Sequence, residues 1–306
     1  MSRSYLFFDI ECANCFDGNG KMCSFGYVIT DDQFNILDSQ DVVMNPEAEF
    51  DWYLFSKKNE CALAYSKDYF RMQHNFEAYH TGIKKLMEAP ERKILGFSVS
   101  NDIGFLLYAT ERYDLTPINY SAFDMETIIN QAKNEKKGLK AWCEYYKIDL
   151  SKLTAHNSRD DAMMTMLLAK AFCEEQNTDI ESLLQKNKGI RISVEKYIQQ
   201  REERRYIKEI SEKIKDLFGK KTRALLSHKL GGKNYAIGFK LSDDIDEAYR
   251  IANLVYKHDG MLLRNIKSNG ILIVRENISN EKRQELAKRN ISTITIDEFD
   301  QKVRLE

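Results

Sequence analysis

Apolar residues crowd the head of the chain. "SYLFFDIE", residues 4–11, is a near-continuous apolar run broken only by Asp9 and Glu11, the pattern of a strand buried on both faces. "MCSFGYVIT" (22–30) and "FNILDSQDVVM" (34–44) are two further strand-like runs separated by the polar stretch Asp31-Asp32-Gln33, and that spacing predicts a hairpin. A helical pattern over 74–88 ends before Pro90, which disfavours helix just upstream of it. "KILGFS" predicts a short strand, 101–113 a helix, "INYSAFDM" another strand, and 138–147 and 158–175 two more helices. A hairpin followed by alternating strands and helices implies an α/β domain with a mixed sheet flanked by helices.

From about residue 180 to 218 the chain turns to long charged helix formers. Val194, Tyr197, Ile198, Ile210, Ile214, Leu217 and Phe218 recur mostly at spacings of three and four, and Gly219 suits a C-cap. One or two amphipathic helices are expected there, acting as a connector. After "GGKNYAIGFKLS" the pattern reads strand 235–241, helix 243–257, strands 261–266 and 270–274, helix 280–289, strand 293–296. The expected organisation is therefore a first domain over 1–178, a charged helical connector over 179–226, and a second small α/β domain over 227–306.

Composition narrows the class. The 306 residues, 43% hydrophobic and 30% charged, are enough for two domains of ordinary globular character. No apolar run approaches the roughly 20 residues of a membrane span. The first apolar run meets an acid at position 9, which does not fit a secretory signal. Six cysteines at irregular spacing read as reduced thiols, so the expected address is the cytoplasm. Cys12 and Cys15 form a C-x2-C with Cys23 nearby, but no second ligand pair follows at zinc spacing. Net charge is −1, yet residues 186–233 hold 15 Lys/Arg against 6 Asp/Glu. A basic segment thus stands beside an acidic remainder.

Asp9 and Glu11 are two apart on the first strand, so they point to one face. Two carboxylates held that close raise each other's pKa unless a cation is present. The plainer reading is a strand that ends at a polar surface. "ILGFSVSNDIGFLL" places Asn101 and Asp102 between a strand and a helix, where Ser100, Asn101 or Asp102 would also serve as a cap. "AHNSRDDAMMTMLLAKAF" supplies His156 and, five residues on, Asp161, although Ser158-x-x-Asp161 also satisfies a capping-box pattern.

Taken in order, Asp-x-Glu on the first strand, Asp102 near a helix start and His-x4-Asp at the last helix resemble the DEDDh family of 3′–5′ exonucleases, of the proofreading-subunit type with an RNase H-like fold. The resemblance spans residues 4–178. It implies Asp9, Glu11, Asp102 and Asp161 as metal ligands and His156 as general base, with the family spacing choosing Asp161 over Asp160. It implies two Mg²⁺ or Mn²⁺ ions per site, since carboxylates are hard oxygen ligands suited to them, and an imidazole that accepts the proton of the attacking water near neutral pH. The implied substrate is the 3′ end of single-stranded DNA or RNA. The sequence departs from the pattern after Glu11, where Cys12, Ala13 and Asn14 stand in place of the family's Thr residues. Substrate contacts are therefore unassigned, with Cys12, Ala13, Trp52 and Phe105 as candidates.

Two further features bear on binding. Phe50, Trp52, Tyr53 and Phe55, beside Lys57 and Lys58, offer either stacking surfaces for unpaired bases or simply core. Arg201, Arg204, Arg205, Lys208, Lys220, Lys221 and Arg223 would suit a phosphate backbone, or form a solvated helix face interlaced with Glu202, Glu203, Glu209 and Glu212. The C-terminal stretches "YAIGFKLS", "GILIV", "NEKRQELAKRN" and "ISTITIDEFDQ" resemble a BRCT-type domain, which would recruit nucleic-acid ends or a protein partner. No Trp lies in the last helix, unlike a full member. The rival to an enzyme is a binding scaffold carrying a degenerate nuclease domain, and a small-molecule phosphohydrolase is a weaker third reading.

Overall fold

The computed structural model describes residues 3–15, 19–55, 62–223 and 225–304. Lys57 and Lys58 fall outside the described residues. The chain divides into two compact units, Met1–Gln199 and Gln200–Glu306.

In the first unit, β1 (Ser4–Cys12), β2 (Met22–Thr30) and β3 (Ile36–Val43) are followed by a 3₁₀ turn, Trp52–Phe55, then α1 (Lys67–Arg71) and α2 (Phe76–Met87). Next come β4 (Arg92–Gly96), α3 (Val99–Arg112), β5 (Ser121–Asp124), α4 (Met125–Lys133), α5 (Leu139–Tyr145), α6 (Ser158–Glu175), α7 (Ile180–Lys186), β6 (Ile192–Ser193) and the start of α8 (Val194–Leu217). The six strands lie in the order β3-β2-β1-β4-β5-β6. β1 runs antiparallel to β2 and parallel to β4, so the expected mixed sheet, hairpin first, is present.

Strand period explains why β1 looked apolar throughout. Leu6, Phe8 and Ile10 join the core under α2 and α3, whereas Tyr5 and Phe7 join the core under α4, α6 and α7. Asp9 and Glu11 continue the Tyr5–Phe7 face. They thus emerge on the side of the sheet that α6 covers.

Four elements of this unit depart from the sequence pattern. α4 follows β5 without a break, because Asp124 closes the strand and caps the helix, accepting from Glu126 N–H at 3.1 Å and Thr127 Oγ1 at 2.7 Å. The short α1 is capped by Ser66, which accepts from Tyr69 N–H. α7 and β6 lie in the stretch expected as connector. Ile180, Leu183 and Leu184 of α7 are buried in the core beneath α6, β6 extends the sheet through Ala122↔Ile192, and Val194 packs in the core under α3.

The second unit contains β7 (Asn234–Ile237), α9 (Ile245–Lys257), β8 (Met261–Leu262), β9 (Gly270–Val274), α10 (Asn280–Ala287), β10 (Ile291–Thr295) and α11 (Ile296–Arg304). Its sheet, in the order β10-β9-β7-β8, is parallel at every pairing. Ile210 and Ile214 of α8 are buried with Tyr235, Ile251, Ile273 and Phe299. α11 was not expected from the pattern. A capping box starts it: Glu298 N–H donates to Thr295 Oγ1 at 3.2 Å and Thr295 N–H to Glu298 Oε2 at 2.7 Å. Phe299 and Val303, four apart, are its buried positions. On the basic connector, Lys213, Lys215 and Lys220 pair along the helix with Glu209, Glu212 and Asp216. No helix of the described residues is long and apolar enough to cross a membrane.

Candidate active site

The site forms where β1 ends and α6 begins, and a glycine permits the approach. Gly26 of β2 pairs with Asp9 on one side and Asp41 of β3 on the other. A Cβ there would collide with the backbone of Ser158 and Arg159. The bare strand surface lets the first turn of α6 settle directly on the sheet. Polar contacts then pin it: Ser158 Oγ donates to Asp41 Oδ1 at 2.7 Å and lies 2.9 Å from Ser24 Oγ, while Asn157 Nδ2 donates to Asp41 Oδ2 at 2.9 Å and to the Tyr65 hydroxyl at 3.0 Å. Asn157 also caps α6, its Oδ1 accepting from Asp160 N–H at 3.1 Å.

This seating gives the two adjacent acids of α6 different roles. Asp160 is buried at 3% exposure. Its carboxylate accepts from Thr154 N–H at 2.8 Å and from the Arg159 guanidinium at 2.6 Å, so it is spent on closing the loop before the helix. Asp161, about 100° further round the helix, faces β1. His156 adopts a left-handed backbone, φ 58°. Its N–H donates to Asp161 Oδ2 at 3.0 Å, and its Nδ1 lies 3.2 Å from Glu11 Oε1.

Glu11, His156 and Asp161 place ligand atoms within 4.8 Å of one another. With Asp9 they line a cavity of about 620 Å³. Asp102 sits at 5% exposure in the first turn of α3, and the Ile10 N–H of β1 donates to its carboxylate. It is a neighbour of the group and not one of the three that converge within 4.8 Å. A second support lies behind it: Ser98, the N-cap of α3 at φ 61°, donates its N–H to Asp124 Oδ1 at 2.9 Å. Asp124 thereby holds the turn that presents Asp102.

The electrostatics follow from crowding. Burial, then the charges of Asp102 and Glu11, push the Asp9 carboxyl well above the usual range. Burial and Glu11 do the same to Asp102, against the Ile10 hydrogen bond. Asp161 is pushed up to about 7 by burial and Glu11, with the His156 contacts opposing. A set of acids that resists its own ionisation fits a cation: hard oxygen donors gain on loading what they lose empty.

The substrate-contact candidates separate. Ala13 is fully buried beneath the 3₁₀ turn, with Phe50, Leu54 and Leu63, so its side chain has no surface to offer. Cys12 and Phe105 are half-buried against the core under α3 and meet beneath Gly20. Trp52, in contrast, is 85% exposed. The aromatic cluster is therefore divided, with Phe50 in the core and Trp52 on the surface. Asp51 N–H donates to the Ala13 carbonyl at 2.9 Å and Ala64 N–H to the His156 carbonyl at 3.3 Å, which ties the exposed turn to both halves of the site. Of the C-x2-C thiols, Cys15 is exposed and Cys12 half-buried; Cys23 is buried.

Sequence reasoning missed Gly26, Asp41, Tyr65, Asp124 and Lys140, the last of which lines the cavity. The one available signal was alternation: Asp41 breaks an otherwise strand-like "SQDVV", and Asp124 ends "SAF".

In fold, the chain is similar to exonuclease I. A solved exonuclease I structure superposes with a TM-score of 0.50 at 17% identity, covering 60% of this chain and 43% of that one. E. coli exonuclease I in complex with a dA16 oligonucleotide covers 57% of this chain and 42% of its own, at 18% identity and a TM-score of 0.49. This chain thus spans less than half the length of the exonuclease I chains it matches. At such identities the likeness speaks to the RNase H-like fold alone. No protein-family model matches the sequence, and no curated protein matches it.

Proposed function

We propose that the protein is a metal-dependent 3′–5′ exonuclease that hydrolyses phosphodiester bonds at the 3′ end of single-stranded DNA or RNA. The observation that carries this reading is the convergence of Glu11, His156 and Asp161 within 4.8 Å, on a cavity that Asp9 also lines. In this reading Asp9, Glu11, Asp102 and Asp161 hold two Mg²⁺ or Mn²⁺ ions. When bound, the ions supply Lewis acidity at the phosphodiester and neutralise the crowded carboxylates. His156 takes the proton from the attacking water. Its contact with Glu11 and the hydrogen bond from its backbone to Asp161 keep the imidazole beside the acids. Cys12, Phe105 and Trp52 are the remaining substrate-contact candidates, Trp52 as a stacking surface for an unpaired base.

That E. coli exonuclease I forms a complex with a dA16 oligonucleotide agrees with a single-stranded substrate. The first unit would carry the chemistry, and 227–306, read as BRCT-like, would recruit a protein partner or a nucleic-acid end. The test is degradation of single-stranded DNA and RNA oligonucleotides labelled in turn at each end, with Mg²⁺, with Mn²⁺ and with chelator. Stepwise metal-dependent loss from the 3′ end that disappears in His156→Ala supports the reading. Intact oligonucleotides under every condition would reject it in favour of a binding scaffold.

A further inference from the structure

The cavity at the acidic cluster has two kinds of lining. Asp9, Glu11, His156 and Asp161 supply the polar part, and the remainder is apolar, including Phe97, Leu139 and Met164, apart from one cation, Lys140. The ordinary explanations for a helical lysine do not cover it. Lys140 stands in the first turn of α5, where a positive charge opposes the helix dipole. Glu144 lies one turn further on, yet Lys140 makes no ion pair or hydrogen bond among the described residues, and it is exposed.

We propose that Lys140 binds a phosphate of the single strand whose terminal nucleotide occupies this cavity; the proposal rests on the exonuclease reading. A phosphodiester that approaches this cluster brings negative charge to a place already crowded with carboxylates. Cations held by the acids offset the acids, and the incoming phosphate needs a further positive charge. Lys140 is the cavity lining's only Lys or Arg among the described residues. A compact ammonium on a flexible stem meets a phosphate oxygen without demanding one fixed geometry. The apolar walls take a base by contact without reading its edges, so binding is indifferent to sequence.

The test uses the full chain in a His156→Ala background with Mg²⁺, which keeps the strand intact. Binding of a 5′-labelled oligothymidylate is followed by fluorescence anisotropy from about 50 to 200 mM salt. Lys140→Gln is expected to weaken binding about 3- to 10-fold and to reduce the slope of log K against log salt by about 0.7, the value of one single-strand phosphate contact. Lys140→Arg is expected to retain both. Unchanged affinity and slope in Lys140→Gln overturn the proposal and leave the exonuclease reading standing. Weaker binding with an unchanged slope also overturns it, since a packing role would do the same. A His156→Ala parent that binds no oligonucleotide overturns the exonuclease reading and this proposal together.

Discussion

Replacing Asp161 by Asn should stabilise the metal-free protein while abolishing activity. Burial and Glu11 push the Asp161 carboxyl from an ordinary 3.8 up to about 7. Those values differ by about 3 pH units, and each corresponds to about 1.4 kcal/mol of preference for the protonated form. The sign follows from linkage: a carboxyl with a raised folded-state pKa holds a proton that the unfolded chain has released. Its penalty is absent below about pH 4, grows as pH rises, and is complete above about pH 7. Taken alone, ionised Asp161 would cost the fold on the order of 4 kcal/mol at about pH 8. The neighbouring Asp9 carboxyl is pushed up as well, so the penalty belongs to the group and loss of the Asp161 charge relieves part of it, on the order of 2 kcal/mol.

For a unit of 199 residues, about 2 kcal/mol moves the melting temperature by about 4–8 °C. Trp52 and Trp142 are the chain's two tryptophans and both lie in that unit, so intrinsic fluorescence reports its melting. With chelator near pH 8, Asp161→Asn should melt about 4–8 °C above the parent, and near pH 4 the gap should largely close. With Mg²⁺ the order should reverse, because only the parent binds the ions tightly and gains from mass action. A variant that melts below the parent in chelator near pH 8 would refute the crowded-carboxylate account.

Other expectations separate neighbours that look alike in sequence. Asp160→Asn should lose about 1–3 kcal/mol of stability in a urea titration, since its buried carboxylate accepts from Thr154 and Arg159, yet keep its turnover; activity as low as in Asp161→Asn would mean the two acids share a role. Gly26→Ala should destabilise by roughly 1–3 kcal/mol or more and reduce turnover, because the added methyl meets the backbone of α6; a stable and fully active variant would show that α6 need not touch β2 there. Trp52→Ala should raise KM for a single strand with little change in kcat, by about 1–3 kcal/mol in binding if one base stacks on the indole. Titrating a single strand into the parent should quench Trp52 while Trp142, at 0% exposure, stays bright, and undiminished emission would remove Trp52 from the substrate path.

Much of this protein is decided locally and is legible in the chain. The run Tyr5–Phe8, the hairpin across 31–33 and the span of α6 follow from side-chain period and turn chemistry, which act over a few residues. The Asp9–Glu11 bracket, too, is visible as a period-2 pair. What sequence spacing leaves open is which groups meet through space. The spacing from His156 singles out Asp161 over Asp160 only through the family resemblance; the physical reason is the rotation of α6 against Gly26, which sends Asp160 to Thr154 and Arg159 and Asp161 to His156. Asp41 and Asp124 read as strand polar residues, because their partners Ser158 and Ser98 lie 117 and 26 residues away. α7 and β6 look like connector because a half-apolar segment shows its value only when a core exists to receive Ile180, Leu183 and Leu184. Period and spacing determine elements, since those energies are summed along the chain. Burial, pairing and the raised carboxyls belong to the tertiary structure, since they depend on distances that packing alone sets.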